Sequence, residues 1–294
     1  LVQYDPNNNW GWLDSSKYKK DIEFKIGDIR DYDSVYSSLI GIDQVYHLAA
    51  LIGIPYSYVS PLAYIKTNIE GTYNVVQSAR LLNIKNVIIT STSETYGSAQ
   101  FIPMNENHPK IGQSPYSATK IGADNLALSY NKSFGTPIKL VRPFNIYGPR
   151  QSARAVIPAI AIQILSGKRK IKLGNTYATR DLTFVKDTVD GFIEISKQNK
   201  FNGEAVNIGM NNEISIIDLV HKIAKILDKK IEIVFDKKRI RPKKSEVNRL
   251  VCDNTKLIKN TKWKPKYNLD KGLKETLNWI VKNQNKFKSN IYNF

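Results

Sequence analysis

Tyr116 and Lys120 lie four residues apart in the run SPYSATK at 114–120. On a helix this spacing sets both side chains on one face. An ammonium beside a phenol favours the phenolate. A tyrosinate near neutral pH is a general base for a hydroxyl. The same spacing also arises by chance on solvated helices, so the pair alone decides nothing. Weight comes from the stretch IITSTSE at 88–94, which puts Thr92 24 residues before Tyr116. It reads as a short β-rich run that ends in hydroxyls and is followed by an acid. Thr92 at a strand's carboxyl end can hydrogen-bond the hydroxyl that Tyr116 deprotonates. Glu94 supplies a second base two residues on.

The elements that must position these residues follow from pattern. Ser114 caps and Pro115 opens a helix over 115–134, because Ser is a good cap and Pro fits the first turn. Strands are expected at Leu1–Tyr4, Ile22–Ile26, Gln44–Leu48, Val87–Thr90 and Ile138–Val141. Helices are expected over 31–39 and 60–83, the latter from Leu62, Ile65, Ile69, Tyr73, Val76 and Leu81 at helical spacing. Strands alternating with helices predict an α/β fold, a doubly wound parallel sheet covered on both faces. After Val141 the run RPFNIYGPR is loop punctuated by Pro and Gly. The expected division is a sheet domain from 1–148 and about 183–212, with a smaller discontinuous lobe from about 149–182 and 213–294. The segment 183–212 (a helix at 186–198, a strand at 204–208) returns to the sheet.

Composition sets bounds. With 294 residues, 41% of them apolar, the chain can bury a large core. Cys252 is the single cysteine, which excludes an internal disulfide and fits a reducing compartment such as the cytoplasm. No apolar run approaches the ~20 residues that span a bilayer. The three histidines form no metal-ligand spacing, so no metal is expected. The net charge of +18 would suit nucleic acid, an anionic membrane surface or an anionic small substrate. Much of it is lysine scattered through 228–288, which reads as solvated surface. Neither a nucleic-acid nor a membrane partner is therefore expected.

Further motifs stand in order along the chain: HLAA (47–50), TNIEGTYNV (67–75), STSETYG (91–97), YSATK (116–120), RPFNIYGPRQ (142–151), RDLTFVKD (180–187) and VNIG (206–209). Together they resemble the extended short-chain dehydrogenase/reductases, the NAD-dependent epimerases and dehydratases. The resemblance implies a nucleotide-sugar substrate and an NAD cofactor, with NADP left open. It also implies a strand and a glycine-rich turn before the first strand visible here, about 35–40 residues by the size of one strand-helix unit. No such turn stands in the chain. The expected cofactor-binding residues are Asp28, Ile29, Leu48, Ala49, Ala50, Asn68, Tyr116 and Lys120. On the substrate side they are Tyr56, Ser57, Asn145, Arg154, Arg180 and Arg241. The last two are the pyrophosphate binders that the resemblance marks. Arg142, Arg150 and Arg249 are further arginines able to meet phosphate. Trp263 is expected to pack the lobe.

Within the family, Tyr116 and Lys120 imply oxidation at C4 of a sugar. A 4-epimerase needs nothing more than return of the hydride to the other face. A 4,6-dehydratase needs a base for the C5 proton, and Glu94 matches the family's Glu. Ser93 stands where the dTDP-glucose dehydratases have Asp, so Ser93, Glu94 and water are all open as the acid for the C6 hydroxyl. The stretches WGWLD (10–14), ALIGIPYSY (50–58), GPRQSARAVIP (148–158) and RPKKSEVNRL (241–250) look most like the dehydratases of legionaminic acid biosynthesis, which act on nucleotide-linked N-acetylglucosamine. UDP and GDP are not distinguished. A non-catalytic nucleotide-sugar or nucleic-acid binder is the reading from another class. The helices 60–83 and 115–134 carry Tyr64, Val75, Leu126 and Leu128 beyond one face, and the resemblance implies a homodimer through them.

Overall fold

The computed structural model describes residues 1–7, 9–240 and 242–287. In chain order the first elements are α1 (Tyr32–Leu39), β1 (Gln44–His47), α2 (Ile54–Val59), α3 (Pro61–Tyr64), a π-helical turn (Ile65–Glu70), α4 (Gly71–Leu81), β2 (Asn86–Thr90), α5 (Pro115–Phe134), β3 (Ile138–Pro143) and β4 (Asn145–Tyr147). Then come α6 (Val156–Leu165), β5 (Lys170–Leu173), β6 (Thr179–Arg180), β7 (Leu182–Phe184), α7 (Val185–Ser196), β8 (Ala205–Ile208), β9 (Ile214–Ser215), α8 (Ile216–Ile226), β10 (Glu232–Phe235), α9 (Thr255–Asn260) and α10 (Leu269–Lys282).

The main sheet has the order β1-β2-β3-β8, every pair parallel. Side chains alternate across a strand, so consecutive β2 residues serve opposite faces. Val87 and Ile89 join one core with Val35, Val76, Ala79, Ala127, Ile138 and Leu140. Ile88 joins the other with Val141, Phe192, Ile195, Val206 and Ile208. That is the expected α/β sheet with helices on both faces. The lobe has its own core, where α6, α8 and α10 pack Ile160, Leu219, Val220, Leu273 and Leu277 against Ile171 and Phe184. Leu257 and Trp263 belong to the second sheet core, not to the lobe. Trp263 is locked there by its indole N–H, which donates to the Asp187 carbonyl at 2.8 Å. The chain beyond residue 213 thus divides its packing between both cores.

Local chemistry explains α5. The Ser114 hydroxyl accepts from the Ser117 N–H at 3.1 Å, Pro115 fills the first turn, and Gly135 takes φ +69° just past the last turn. Two expectations need correction. Residues 1–4 and 22–26 make no strands, only a single parallel bridge, Val2 with Ile26. Two backbone hydrogen bonds hold it, too few for a ladder, and Tyr4 and Ile26 stay exposed. The helix expected over 60–83 is continuous in direction but carries the π turn at Ile65–Glu70. Such turns redirect side chains within a helix. Among the described residues no helix is long and apolar enough to cross a membrane.

One buried network ties the sheet to α5. Asp124 Oδ2 accepts from Ser91 Oγ at 2.6 Å and from Arg142 Nε and Nη2 at 3.2 and 2.9 Å. Arg142 Nη1 reaches the Tyr96 hydroxyl at 3.2 Å, and that hydroxyl donates to Asn207 Oδ1 at 2.8 Å. Arg142 and Asp124 are 1% and 0% exposed. Arg142 is therefore an internal brace and not a phosphate ligand. Removing one partner strands a buried charge, so Asp124→Ala should lower unfolding free energy by about 3–5 kcal/mol. Asp124→Leu with Arg142→Met should cost less than either single change. Urea unfolding of the four proteins checks this.

Candidate active site

The site forms where β2 ends and α5 begins. Thr92 is the N-cap of a short 3-10 turn, Ser93–Tyr96, and its hydroxyl accepts from the Glu94 N–H at 3.2 Å. Tyr116 sits in the first turn of α5, 7% exposed, with its ring edge-on to Tyr64 at 6.2 Å. Burial pushes the Tyr116 phenol well above its ordinary range; the neighbouring Thr92 hydroxyl draws it down, and the Glu94 carboxylate pushes it further up. Lys120 is 3% exposed, and its ammonium donates to the Thr90 carbonyl at 2.7 Å. Burial lowers its pKa, with Asp124 opposing. The expected lowering of the phenol by Lys120 is thus corrected. The ammonium is committed to the strand end, and desolvation dominates both groups.

Glu94 faces a cleft of about 310 Å³ that it shares with Asn145, Arg154, Arg180, Arg239 and Glu246. Four of the expected residues are thereby brought together from the turn after β2, β4, the loop before α6, and β6. The Arg180 guanidinium is held by the Thr179 carbonyl at 2.8 Å and by Glu246 at 3.4 Å. Asp181 next to it accepts from the Met210 and Cys252 N–H groups at 2.8 and 3.0 Å. Burial lifts its carboxyl to about 6. Asn145 Oδ1 is buried without a hydrogen-bond partner among the described residues. Tyr56 is 40% exposed beside Gly53, and Arg154 Nη1 would lie 3.7 Å from a Cβ added at that glycine.

Other expected residues have different surroundings. Ser57 is 0% exposed, and its hydroxyl is spent on the Ile54 carbonyl at 2.6 Å, because α2 turns it inward. Ser93 is 2% exposed. Asn68, on the π turn, clamps the Leu51 backbone at both N–H and carbonyl (2.9 and 3.1 Å) and donates to Thr119 Oγ1 at 3.1 Å. It positions the segment after β1 against α5. Asp28 is bound by Arg30 at 2.5 Å, which holds its carboxyl below the usual range. The Ile29 carbonyl accepts from Asn74 at 2.8 Å. Leu48 and Ala49 are exposed at the end of β1, with Ala50 half-buried. Arg249 pairs with Glu213, and Arg150 is exposed. Arg241 lies outside the described residues.

Arg239 and Glu246 are the charged cleft residues that sequence reasoning missed. Arg239 stands in a basic run, DKKRIR (236–241), where no local signal separates it from surface lysines.

A hydroxyl-ended strand facing a buried Tyr/Lys helix, on a parallel sheet with an appended lobe, defines an extended short-chain dehydrogenase/reductase. Residues 1–276 match the family model described as GDP-mannose 4,6 dehydratase, and the chain belongs to that family. A trifunctional UDP-glucose 4,6-dehydratase/3,5-epimerase/reductase of Arabidopsis thaliana is 30% identical over 92% of this chain. This chain spans only 41% of that relative's length. Among solved structures, the dTDP-glucose 4,6-dehydratase of Streptomyces venezuelae with NAD bound has TM-score 0.82 at 27% identity, covering 89% of this chain and 80% of its own. The UDP-glucuronic acid 4-epimerase of Bacillus cereus, in complex with UDP-glucuronic acid and NAD, has TM-score 0.82 at 28% identity, covering 92% and 86%.

His47 at the end of β1 gives a test of this local packing. It is 5% exposed, with Nε2 3.1 Å from Thr72 Oγ1, and burial, aided by the Lys120 charge, drops its pKa to about 3. The folded-state pKa lies below the unfolded one, so the folded protein excludes a proton that the unfolded chain takes up. The resulting stability is full above about pH 6.5 and is lost as pH falls towards 3, at up to about 1.4 kcal/mol per unit. His47→Gln should show a smaller loss than wild type between about pH 7 and about pH 5 by urea unfolding.

Proposed function

We propose that the chain is a nucleotide-sugar 4,6-dehydratase, acting on UDP- or GDP-linked N-acetylglucosamine to give the 4-keto-6-deoxy sugar of legionaminic acid biosynthesis. The observation that carries this reading is Glu94. It opens onto the cleft that holds Arg154 and Arg180, and its charge is felt at the Tyr116 phenol.

The cofactor of this reading is NAD. A dinucleotide fits the carboxyl end of the sheet, where ligands of open α/β sheets bind. There Leu48 is 66% exposed beside exposed Ala49, and buried His47 stays neutral. The end of β1 at Leu48, Ala49 and Ala50 would hold NAD, which would supply a hydride acceptor for C4 and a hydride donor for C6. Tyr116 takes the proton of the C4 hydroxyl, with Thr92 hydrogen-bonded to the same oxygen. Lys120, anchored on Thr90, holds positive charge behind the phenol. The C5 proton is acidified by the neighbouring ketone, and Glu94 removes it. The C6 hydroxyl then leaves as water. Glu94, now carrying the C5 proton, is the acid that the site presents to the leaving oxygen, and the proton that Tyr116 took from the C4 hydroxyl is the one available to C5 as C6 is reduced. Asn145, Arg154 and Arg180 hold the sugar and diphosphate, since arginine forks match phosphate oxygens.

A nucleotide-sugar 4-epimerase is the second reading. It is favoured by the epimerase fold neighbour, which is as similar as the dehydratase, and it would leave Glu94 without a chemical task. Incubation of full-length protein with UDP- and GDP-N-acetylglucosamine separates the two. A product lighter by one water is the dehydratase outcome, and an isobaric product is the epimerase outcome. Tyr116→Phe should slow turnover by ~10²–10⁴ and give no burst of reduced-nicotinamide absorbance. Glu94→Gln should keep that burst and lose elimination and solvent exchange at C5. Normal elimination by Glu94→Gln would remove the main support for a dehydratase.

The reading includes a homodimer. Tyr64 and Val75, expected on its face, are 1% and 5% exposed inside the subunit, Tyr64 packed with Ile54 and Tyr116 and Val75 in the sheet core, and Leu126 and Leu128 are partly packed on that core. Leu62, Ile65 and Tyr73, with Leu81 near the end, are instead the exposed large apolar residues of this helix, the first three at 61, 46 and 42%. They supply a contiguous stripe that a twin could cover. Full-length protein should sediment as a dimer at micromolar concentration, and Ile65→Glu with Tyr73→Glu should shift it to monomer.

A further inference from the structure

Tyr64 ends α3 and faces the catalytic end of α5. It is 1% exposed, and no step of the proposed reaction uses it. Its ring stands edge-on to Tyr116, centroids 6.2 Å apart at 79°, in one small core with Ile54. Edge-to-face pairs have a preferred geometry that an aliphatic side chain does not supply. The Tyr64 hydroxyl donates to the Gly53 carbonyl, and that carbonyl also accepts from the Ser57 N–H at 3.1 Å. Gly53 is the N-cap of α2, the helix that carries Tyr56. The hydroxyl of Tyr64 thus holds the start of α2, while its ring holds one side of Tyr116.

A second pair repeats the arrangement. Asn68, four residues on, clamps the Leu51 backbone and donates to Thr119 Oγ1 at 3.1 Å. Thr119 Oγ1 in turn donates to the Tyr116 carbonyl at 2.7 Å. Tyr64 and Asn68 therefore tie one segment, 51–53, to one stretch of α5. The two ties differ in what they touch. Asn68 reaches the backbone of Tyr116 through a threonine, whereas Tyr64 meets the phenol ring itself. We propose that Tyr64 is a positioning residue with two separable tasks: its ring orients the Tyr116 phenol, and its hydroxyl fixes the start of α2, whose Tyr56 faces the sugar. The proposal rests on the reading of Tyr116 as the base for the C4 hydroxyl.

Tyr116 is met by Thr92 and Glu94 from the turn after β2, by Tyr64 from α3 and by Asp124 along its own helix, with Lys120 one turn on. Burial is the largest influence on its phenol, so opening the Tyr64 side to water lowers the phenol's pKa.

The test compares full-length wild type, Tyr64→Phe and Tyr64→Leu with UDP- and GDP-N-acetylglucosamine, after near-UV circular dichroism has checked each fold. Tyr64→Phe keeps the ring and loses one neutral hydrogen bond. It should weaken calorimetric binding of the tighter nucleotide sugar, and raise KM, by about 2- to 10-fold. Its kcat should stay within about twofold, with an unmoved pH profile, the signature of binding lost equally from ground and transition states. UDP and GDP alone, which lack the sugar, should bind it within about twofold of wild type. Tyr64→Leu loses both tasks. Its single-turnover burst of reduced-nicotinamide absorbance should slow by about 10- to 100-fold, the cost of a misplaced reacting group. The rise of that burst with pH should also move to lower pH. If Tyr64→Leu does not fold, Tyr64→Met takes its place, because Met fills irregular gaps without an aromatic edge. A burst of wild-type rate and pH profile in either of these variants would overturn the proposal and leave Tyr64 as core filling. So would Tyr64→Phe that slows the burst as much as Tyr64→Leu, or that binds the nucleotide sugar as tightly as wild type. A wild type without a burst, or an undiminished burst in Tyr116→Phe, would sink the reading of Tyr116 itself, and the proposal with it.

Discussion

The buried ion pair of Arg142 with Asp124 sets the geometry on which the rest of the site depends. Its three anchors are Ser91 on the segment leaving β2, Asp124 on α5 and Arg142 on β3. Each neighbours a group that does chemistry. Thr92 follows Ser91 directly. Lys120 and Tyr116 lie one and two turns before Asp124, on the same face of α5. Fixing Asp124 Oδ2 to both strands therefore fixes the distance between the strand-end hydroxyl and the helix that faces it. A buried pair is seldom a net source of stability, because desolvating two charges costs about what their attraction returns. Here its use is register. An apolar replacement could fill the volume and yet let α5 slide along the sheet.

Much of this was legible because it is local. Ser114 and Pro115 announce the start of α5, and short β-rich runs announce β2 and β3. The cleft residues Asn145, Arg154 and Arg180 came from ordered motifs. What could not be read was set by partners far away in sequence. Arg142 looks like any arginine in a loop-like run until Asp124 and Tyr96 close on it. Ser57 looks available until α2 buries it. The π turn at 65–70 has no composition signal, and the helical spacing of 60–83 does not say that Tyr64 and Val75 are buried within the subunit.

The same distinction applies to electrostatics. Spacing says that Tyr116 and Lys120 share a face, but the net shift of each group depends on depth. Burial drives the phenol up and the ammonium down, so both groups move towards their neutral forms for one reason. Asp124 resists for Lys120, because its carboxylate favours the charged amine. Desolvation is thus the first influence on both groups of the helix side. Glu94 and the arginines carry the charge on the other side, in the cleft.

That separation also explains how one scaffold can host two reactions. The helix side needs only to take and return the C4 proton, and epimerases and dehydratases share that requirement. The difference must come from the turn after β2. There Thr92 caps its own turn through the Glu94 N–H, which pins Glu94 at the boundary between the phenol and the arginine cleft. A carboxylate in that place adds to the burial that raises the pKa of the Tyr116 phenol. An enzyme that only oxidised and reduced C4 would do better without it. The penalty makes sense where a second proton, at C5, has to be taken from the same sugar.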